Sequence, residues 1–343
     1  MDAQRPEVAA LLRKIAGLRV AIARLPSLSP SPDVAALFTE LVAACVLPSG
    51  VDVAKLGPED QRMREELVRL CSDAEARLEA HFSDALAASD RPLDHLGRFP
   101  YFGRYVGLSD LEHGLLARYA PGHAFPARVA FVGSGPLPLS SLALAARHMP
   151  CAFFDNYDRC GAANERATRL VRAVAAAGSN GVEARMSFRT ADVADLQARD
   201  LAVYDVVFLA ARVGVTAEVV AHLGRHMAAG AALVVRSAHG ARGFLFPVVD
   251  PEDVARAGFD VLAVCHPDDN AVINSVIVAR KPADGPRGNI HEAAAAAAVA
   301  TSPCGCSTAK ATARPTGGGS GGRKRQPRSC HLDAMNETRH RAW

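Results

Sequence analysis

The chain has 343 residues, of which 49% are hydrophobic and 22% are charged, a composition typical of globular proteins that excludes a wholly disordered chain. The formal net charge of +3 is uneven, because residues 281–343 hold ten Lys or Arg and four Asp or Glu, which leaves residues 1–280 at −3. An acidic body argues against a nucleic-acid partner, and the apolar runs, shorter than the ~20 residues of a transmembrane helix, predict no membrane span. The first residues show no targeting signal, so a cytoplasmic protein is expected.

Residues 1–120 are predicted to form a helical bundle. Apolar residues recur at helical spacing in three segments, 11–25, 34–45 and 59–88. A fourth helix is expected to begin at Ser109, because serine commonly caps helix N-termini.

Residues 121–281 consist of short β-rich runs that alternate with helical stretches, which predicts a mostly parallel sheet with helices on both faces. The strand-like segments are RVAFVGSG, CAFFDNYD, RMSFRTAD, YDVVFLAA, ALVVRSAH, VLAVCHP and AVINSVIVARK. Only a short loop separates the last two, so we expect them to form an antiparallel hairpin. The predicted fold class is therefore α/β: five parallel strands plus a C-terminal hairpin resemble the Rossmann-like sheet of S-adenosylmethionine-dependent transferases, here preceded by a helical domain.

Residues 282–343 form a third region of different composition. It contains a poly-Ala stretch, the run GGGSGG and the basic cluster RKR, with few large apolar residues. Such a segment cannot bury enough apolar surface to offset its chain entropy. We therefore predict a disordered, low-complexity basic tail.

A glycine turn, Gly133-Ser134-Gly135, ends the first predicted strand. Glycine allows the backbone to turn sharply and to approach a ligand without a clash at Cβ. Pro138 stands where a dinucleotide-binding fingerprint has its third glycine, which disfavours a nicotinamide cofactor. A tight turn without a ligand remains the alternative.

Further candidates for nucleoside binding stand near the ends of the next three strands. Asp155, with its neighbour Asn156, is expected to end the second strand, where an acid binds ribose hydroxyls. Asp192 ends the third strand and can accept a hydrogen bond from an adenine amino group. Ala210 and Ala211 end the fourth and leave room for a flat adenine. The alternative is that the two aspartates only cap the following helices.

Several longer segments resemble a known family. They are FPYF (99–102), VAFVGSGPLPLSS, FDNYD, TADV, YDVVFLAA, RSAHGARGFLFPVVDP and CHPDDNAVINSVIVARK, with LGPEDQRMREELVRLCSDAEARLEAHFSDAL upstream. Together they resemble plant nicotianamine synthases, above all the grass forms, over residues 1–281. Phe102 and Arg212 depart from the family pattern, the first by losing a hydroxyl and the second by replacing an apolar residue.

The resemblance implies a specific reaction. Three molecules of S-adenosylmethionine, which is substrate rather than bound cofactor, condense to nicotianamine and release three methylthioadenosines. The group that moves is the 3-amino-3-carboxypropyl arm. The product chelates iron, zinc and other metals and is a phytosiderophore precursor in grasses, whereas no metal bound to the protein is implied.

This chemistry requires a base, because an α-amine is mostly protonated at neutral pH and must lose a proton before it attacks. Glu75 and Glu79 lie four residues apart on one helix face. Tyr101 and Tyr105 have the same spacing. By analogy with the family, we expect Glu79 to be the base, Glu75 to be the second candidate and the two tyrosines to orient substrate. A solvated glutamate face with core tyrosines is the alternative.

Arg236, His239 and Arg242 follow the fifth strand and are candidates for substrate binding. An arginine fork can hold a substrate carboxylate. The structural alternative is that these arginines pair with Asp250 or with backbone carbonyls, and that the histidine only stabilises its loop.

Two other functions remain open from the sequence. An ordinary S-adenosylmethionine-dependent small-molecule methyltransferase has the same sheet, and a non-catalytic nucleoside-binding protein would share the pocket. The sequence YVGL (105–108) and the pair Leu115-Leu116 match short sorting patterns, so vesicle association is possible, with burial in the fold as the alternative. No feature of the sequence specifies an oligomeric state.

Overall fold

The structure is a computed structural model that describes residues 6–178, 181–210, 214, 216–267 and 271–283. Ala211, Arg212 and the predicted tail from residue 284 onward lie outside the described residues.

The described residues belong to one compact unit. The helical region and the sheet both belong to it, and the boundary expected at residue 120 stays a prediction. Within the described residues, no helix is both long and apolar enough to cross a membrane.

Four helices precede the sheet, as the helical spacing predicts. They are α1 (Pro6–Ala23), α2 (Pro32–Val46), α3 (Pro58–Ala87) and α4 (Phe102–Tyr119). Helices α2 and α3 each begin with a proline, whose fixed φ suits the first helical turn. Their apolar faces bury Ile15, Leu41 and Leu67 in one cluster with Phe244, so the helices also pack on a segment that follows the fifth strand.

Helix α4 begins at Phe102 rather than at Ser109, so the expected N-cap is wrong. Ser109 is buried inside the helix, where its hydroxyl donates to the carbonyl oxygen of Tyr105 at 2.9 Å. A mid-helix serine is tolerated when its hydroxyl bonds back to the preceding turn. The early start places Tyr105 on a helix that faces α3.

The sheet has seven strands in the order β3-β2-β1-β4-β5-β7-β6. The strands are β1 (Arg128–Val132), β2 (Phe153–Asp158), β3 (Met186–Thr190), β4 (Val206–Leu209), β5 (Ala232–Ser237), β6 (Asp260–Cys265) and β7 (Ser275–Arg280). Strands β1 to β5 are parallel, and β7 runs antiparallel to both β5 and β6. The predicted Rossmann-like sheet with its terminal hairpin is therefore confirmed.

Helices cover the sheet between these strands. They are α5 (Leu139–Ala143), α6 (Gly161–Ala176), α7 (Ala198–Leu201), α8 (Ala217–His226) and α9 (Pro251–Arg256). In the turn between β1 and α5, Gly133 and Gly135 have φ values of 83° and 68°, which residues with a Cβ atom rarely adopt. This turn brings backbone N–H groups to the carboxyl edge of the sheet.

Candidate active site

Two cavities open at the carboxyl edge of the sheet and meet at Gly133, which lines both. The glutamate cavity has a volume of about 260 Å³ and contains Glu75 and Glu79 in its wall. The aspartate cavity has a volume of about 250 Å³ and contains Asp158 and Asp192. Helix α3 contributes residues to both walls, so the helical region forms part of the site rather than a separate appendage.

A tyrosine hydroxyl links the two acids of the glutamate cavity. Tyr105 Oη lies 2.7 Å from Glu75 Oε1 and 2.6 Å from Glu79 Oε1, and Glu79 is 1% exposed. A phenol has one proton and donates to one acceptor at a time. The second contact is a hydrogen bond only when the other carboxyl carries a proton, so the three groups can share a proton between them.

Phe99 fixes the positions of both tyrosines in this cavity. Its ring packs edge-on against Tyr101 and Tyr105, with centroids 5.8 and 5.6 Å away. Burial and then the charge of Glu75 raise the pKa of Tyr101, so its hydroxyl keeps its proton at neutral pH. The guanidinium of Arg104 lies over the same ring, 5.4 Å from its centre.

The aspartate cavity presents two carboxylates that are anchored by backbone N–H groups. Asp158 Oδ2 accepts from Gly135 N at 3.0 Å, and its Oδ1 accepts from Cys160 N at 2.8 Å. Asp192 Oδ1 accepts from Ala194 N at 3.0 Å. Each carboxylate oxygen can accept a further hydrogen bond, so the cavity suits a ligand that carries hydroxyl and amino donors.

Comparison with known proteins identifies the family. A model described as nicotianamine synthase protein matches residues 3–285. The curated nicotianamine synthase 1 of Oryza sativa subsp. japonica is 70% identical over 285 residues, which are 82% of this chain and 84% of that protein. The probable nicotianamine synthase 2 of Hordeum vulgare is 69% identical over 282 residues, which are 81% of this chain and 82% of that protein. The chain belongs to the nicotianamine synthase family.

Solved structures agree with this nicotianamine synthase fold. The structure described as MtNAS in complex with MTA and tNA matches with a TM-score of 0.65 at 19% identity, over 81% of this chain and 99% of that one. A mutant of MtNAS in complex with S-adenosylmethionine gives a TM-score of 0.64 at 19% identity, over 79% and 98%. The resemblance read from the sequence is confirmed, and nicotianamine synthases are aminocarboxypropyltransferases.

The structure corrects the position of Asp155 in this nicotianamine synthase. Strand β2 continues to Asp158, so Asp155 does not end it. Asp155 also lines neither of the two cavities. Asp155 accepts hydrogen bonds from Arg128 Nη2 and Tyr204 Oη, each at 2.8 Å, and from the Ser187 hydroxyl. Burial alone would raise the pKa of Asp155, but these hydrogen bonds lower it. Its carboxylate thus joins neighbouring strands.

Asn156 is likewise absent from the walls of both cavities. Its Nδ2 donates to the carbonyl oxygen of Ser187 at 3.1 Å, and the side chain is fully buried. Asn156 is therefore not placed to line either cavity, and its role in nucleoside binding stays a prediction. Asp158 was missed, although it stands in the same FDNYD segment.

Arg236 is held by a partner that sequence reasoning did not find. Its Nε and Nη2 donate to Glu112 Oε1 at 2.6 Å and Oε2 at 2.9 Å. The side chain lines the glutamate cavity, but its Nε and Nη2 already donate to Glu112. Arg236 therefore cannot hold a substrate carboxylate through Nε and Nη2, and Nη1 is the nitrogen that Glu112 does not bind.

Arg242 and His239 line neither cavity. Arg242 Nη1 donates to the carbonyl oxygens of Pro267, Val272 and Ile273, at 2.9 to 3.2 Å. These contacts match the structural alternative of backbone carbonyls, and they stabilise the loop before β7. Neither residue therefore lies where the two cavities would bind a substrate, and their role in substrate binding stays a prediction.

His239 is bound to the hairpin instead. Its Nδ1 lies 2.8 Å from Ser275 Oγ, and its ring packs on His266 with centroids 4.7 Å apart. Ser134 and Ala210, in contrast, lie in the wall of the glutamate cavity, and their expected role in nucleoside binding stays a prediction. Among the described residues, no group of three or more His, Cys, Asp or Glu side chains is arranged to hold a metal ion.

Proposed function

We propose that the chain makes nicotianamine from three molecules of S-adenosylmethionine, with the donor nucleoside in the aspartate cavity and the acceptor amine in the glutamate cavity. The observation that carries this assignment is the Tyr105 hydroxyl between Glu75 and Glu79. It stands in a cavity that meets a strand-end cavity at Gly133. A methyltransferase sheet alone does not require such an acidic cluster.

The aspartate cavity supports nucleoside binding. Asp158 is proposed to accept hydrogen bonds from the ribose hydroxyls, since its carboxylate is already oriented by Gly135 N and Cys160 N. Asp192 is proposed to accept from the adenine amino group. The ligand then lies across the carboxyl edge of the sheet, where open α/β sheets bind their ligands.

Each transfer forms one bond and breaks another. The acceptor amine attacks the γ-carbon next to the sulfonium, and the bond between that carbon and sulfur breaks. The electron pair of the broken bond stays on sulfur, which leaves as neutral methylthioadenosine. The proton that the amine gives up passes to Glu79, acting as general base.

Glu79 is preferred to Glu75 as this base because of its surroundings. Glu79 is buried, whereas Glu75 is half-buried. A proton transferred to a buried carboxylate is shielded from water, and Tyr105 can carry it onward to Glu75. Tyr101 is proposed to orient the substrate from the same wall.

Mass spectrometry with S-adenosylmethionine as the only small molecule tests the function. Nicotianamine with three methylthioadenosines per product is the expected result. S-adenosylhomocysteine in a fuller mixture of acceptors would mean that the methyl group moves instead. Binding without either product would support a nucleoside-binding protein without catalysis.

Asp158→Asn is expected to weaken methylthioadenosine binding about ten-fold or more, because a hydrogen bond to a charged acceptor is worth ~1.5–3 kcal/mol. Isothermal titration calorimetry measures this affinity. Asp155→Asn is the matched control: it removes the same charge from a site between strands and should lower the unfolding midpoint while affinity changes little. Equal losses of affinity in both variants would contradict the ribose assignment.

Tyr105→Phe is expected to lower kcat about ten- to a hundred-fold with a small change in KM, since it removes a hydroxyl that bonds to charged groups. The ring contact with Phe99 is kept. Steady-state release of methylthioadenosine gives both constants. Tyr101→Phe removes a hydroxyl from the same wall, and an equal effect there would argue against a special role for Tyr105.

A cytoplasmic location is part of the proposal. The five described cysteines are free thiols, as expected in a reducing compartment. The short sorting patterns lie in helix α4, where Tyr105 bonds to the two glutamates and Leu116 is fully buried. These contacts support the structural interpretation of both patterns, and vesicle association would require α4 to leave its place.

A further inference from the structure

The wall of the glutamate cavity contains three buried polar atoms without a hydrogen-bond partner. Within the described residues, Ser134 Oγ, Ser140 Oγ and Asn274 Nδ2 are buried, lack a hydrogen-bond partner and line this cavity. Ser134 is 7% exposed and Ser140 is 4% exposed. Leaving such an atom unsatisfied is costly, so these groups are suited to bind a polar ligand in this cavity.

These three groups lie on the sheet side of the cavity and can donate hydrogen bonds, whereas the helix side offers acceptors. Ser134 belongs to the turn after β1, Ser140 to the first turn of α5, and Asn274 directly precedes β7. All three side chains can donate a hydrogen bond. The helix side, on α3, supplies the acceptors Glu75 and Glu79.

Two guanidinium groups make the same cavity suitable for an anion. Arg104 lines it and contacts the ring of Tyr101, and within the described residues no carboxylate pairs with it. Arg236 also lines it, with Nη1 outside its ion pair with Glu112. The wall of this cavity therefore holds the two carboxylates of Glu75 and Glu79 and two guanidinium groups, so positive charge is available there to a bound anion.

The geometry points to Asn274, Ser134 and Ser140 as the receptor for the α-carboxylate of the acceptor, with Arg104 supplying positive charge. This assignment rests on the proposed function, because it names how the acceptor binds in the glutamate cavity. Binding the carboxylate on the sheet side turns the amine of the same amino acid towards Glu79. The receptor therefore selects an α-amino acid as nucleophile and orients it for attack.

Isothermal titration calorimetry on the full chain, with two probes, tests the receptor. Asn274→Asp keeps the shape of the side chain but replaces a donor with a carboxylate. It is expected to weaken nicotianamine binding at least about ten-fold, more than Asn274→Ala does, with methylthioadenosine affinity within about two-fold of wild type. Equal losses for both probes, or a larger loss in Asn274→Ala, would overturn the receptor.

A stability measurement separates binding from folding. The double variant Ser134→Ala/Ser140→Ala removes two unpartnered hydroxyls, so it should keep or raise the unfolding midpoint while weakening nicotianamine binding. Ser83→Ala is the matched control, because Ser83 Oγ is also buried without a partner but lies outside both cavities. It should leave binding unchanged, and a loss of binding there would overturn the assignment.

Turnover of the wild-type chain tests the proposed function separately from the binding measurements on the variants. Nicotianamine formation by wild type with no effect of Asn274→Asp on binding would reject the receptor and keep the function. Selective loss of nicotianamine binding in Asn274→Asp, with no turnover by wild type, would keep the receptor and reject the function.

Discussion

Glu79→Gln is expected to slow methylthioadenosine release at saturating S-adenosylmethionine by about 10²–10⁴-fold, the range that general acid–base catalysis contributes. Glutamine has the size of glutamate and can still accept a hydrogen bond from Tyr105, whose hydroxyl lies 2.6 Å from Glu79. It cannot take a proton from the acceptor amine. The loss therefore falls on kcat, and methylthioadenosine affinity should stay near the wild-type value.

The pH dependence of this loss distinguishes a base from a structural residue. An α-amine loses its proton without help as the pH passes its pKa, roughly 8 for a terminal α-amine. The deficit of Glu79→Gln should therefore shrink as the pH rises, whereas a packing defect would cost the same at every pH. Rates from pH 6 to 9, measured by quenched mass spectrometry, show which holds.

Glu75→Gln is the matched variant for this experiment. It removes the same charge one helical turn away, from a carboxylate 2.7 Å from the same hydroxyl. If Glu79 is the base, Glu75→Gln costs less than Glu79→Gln. A larger loss in Glu75→Gln would assign the base to Glu75, and equal small losses would remove both from proton transfer.

The sheet could be predicted because its information is local. Each strand is a short β-rich run, and the long connections leave room for the helices that parallel strands need. The short link between the last two runs excludes a crossover helix. The i,i+4 spacing of Glu75 and Glu79 likewise predicts a shared helix face, and both line the same cavity.

The end of a strand depends on more distant residues, which is why the sequence favours Asp155 although Asp158 ends the strand. The two aspartates stand three residues apart in FDNYD, and both are reasonable strand-end acids. Backbone pairing decides between them, since Tyr157 still pairs with Val132 on one side and with Arg189 on the other. Such pairing joins residues that are distant in sequence.

The start of helix α4 also depends on contacts that the local sequence does not show. Ser109 has a high intrinsic preference for an N-cap, but burial against the sheet region places it inside a helix that begins at Phe102. The position of Tyr105 therefore depends on tertiary packing. The four-residue spacing of Tyr101 and Tyr105 predicts their shared cavity but not the contact of the Tyr105 hydroxyl with both glutamates.

Glu112→Gln is expected to lower the free energy of unfolding by about 3–5 kcal/mol, because it leaves the guanidinium of Arg236 buried without a counter-ion. The side chains of Arg236 and Glu112 are 8% and 0% exposed, and two hydrogen bonds join them. Burial alone would lower the pKa of Arg236, but the charge of Glu112 raises it, so the group stays charged. Urea denaturation followed by circular dichroism measures the loss.

An exposed pair supplies the control for this measurement. Lys14 and Glu40 are 3.3 Å apart with about half of each side chain exposed, and exposed ion pairs contribute ~0–1 kcal/mol. Glu40→Gln removes the same charge from this pair and should change the unfolding free energy little. If the two variants unfolded at the same urea concentration, the buried pair would contribute no more to the free energy of unfolding than the exposed pair, which would contradict the prediction.

The pair also links helix α4 to the sheet, which gives the experiment a functional readout. Glu112 lies on α4 with Tyr105, and Arg236 lies on β5, 124 residues later in the chain. Replacing a buried ion pair with apolar residues of similar volume is often neutral or stabilising, so Glu112→Leu/Arg236→Met should recover much of the stability that Glu112→Gln loses. Because Arg236 lines the glutamate cavity, the double variant should stay deficient in kcat/KM. Recovery of both stability and activity would mean that the pair only stabilises the fold, because activity would then not depend on the charge of Arg236.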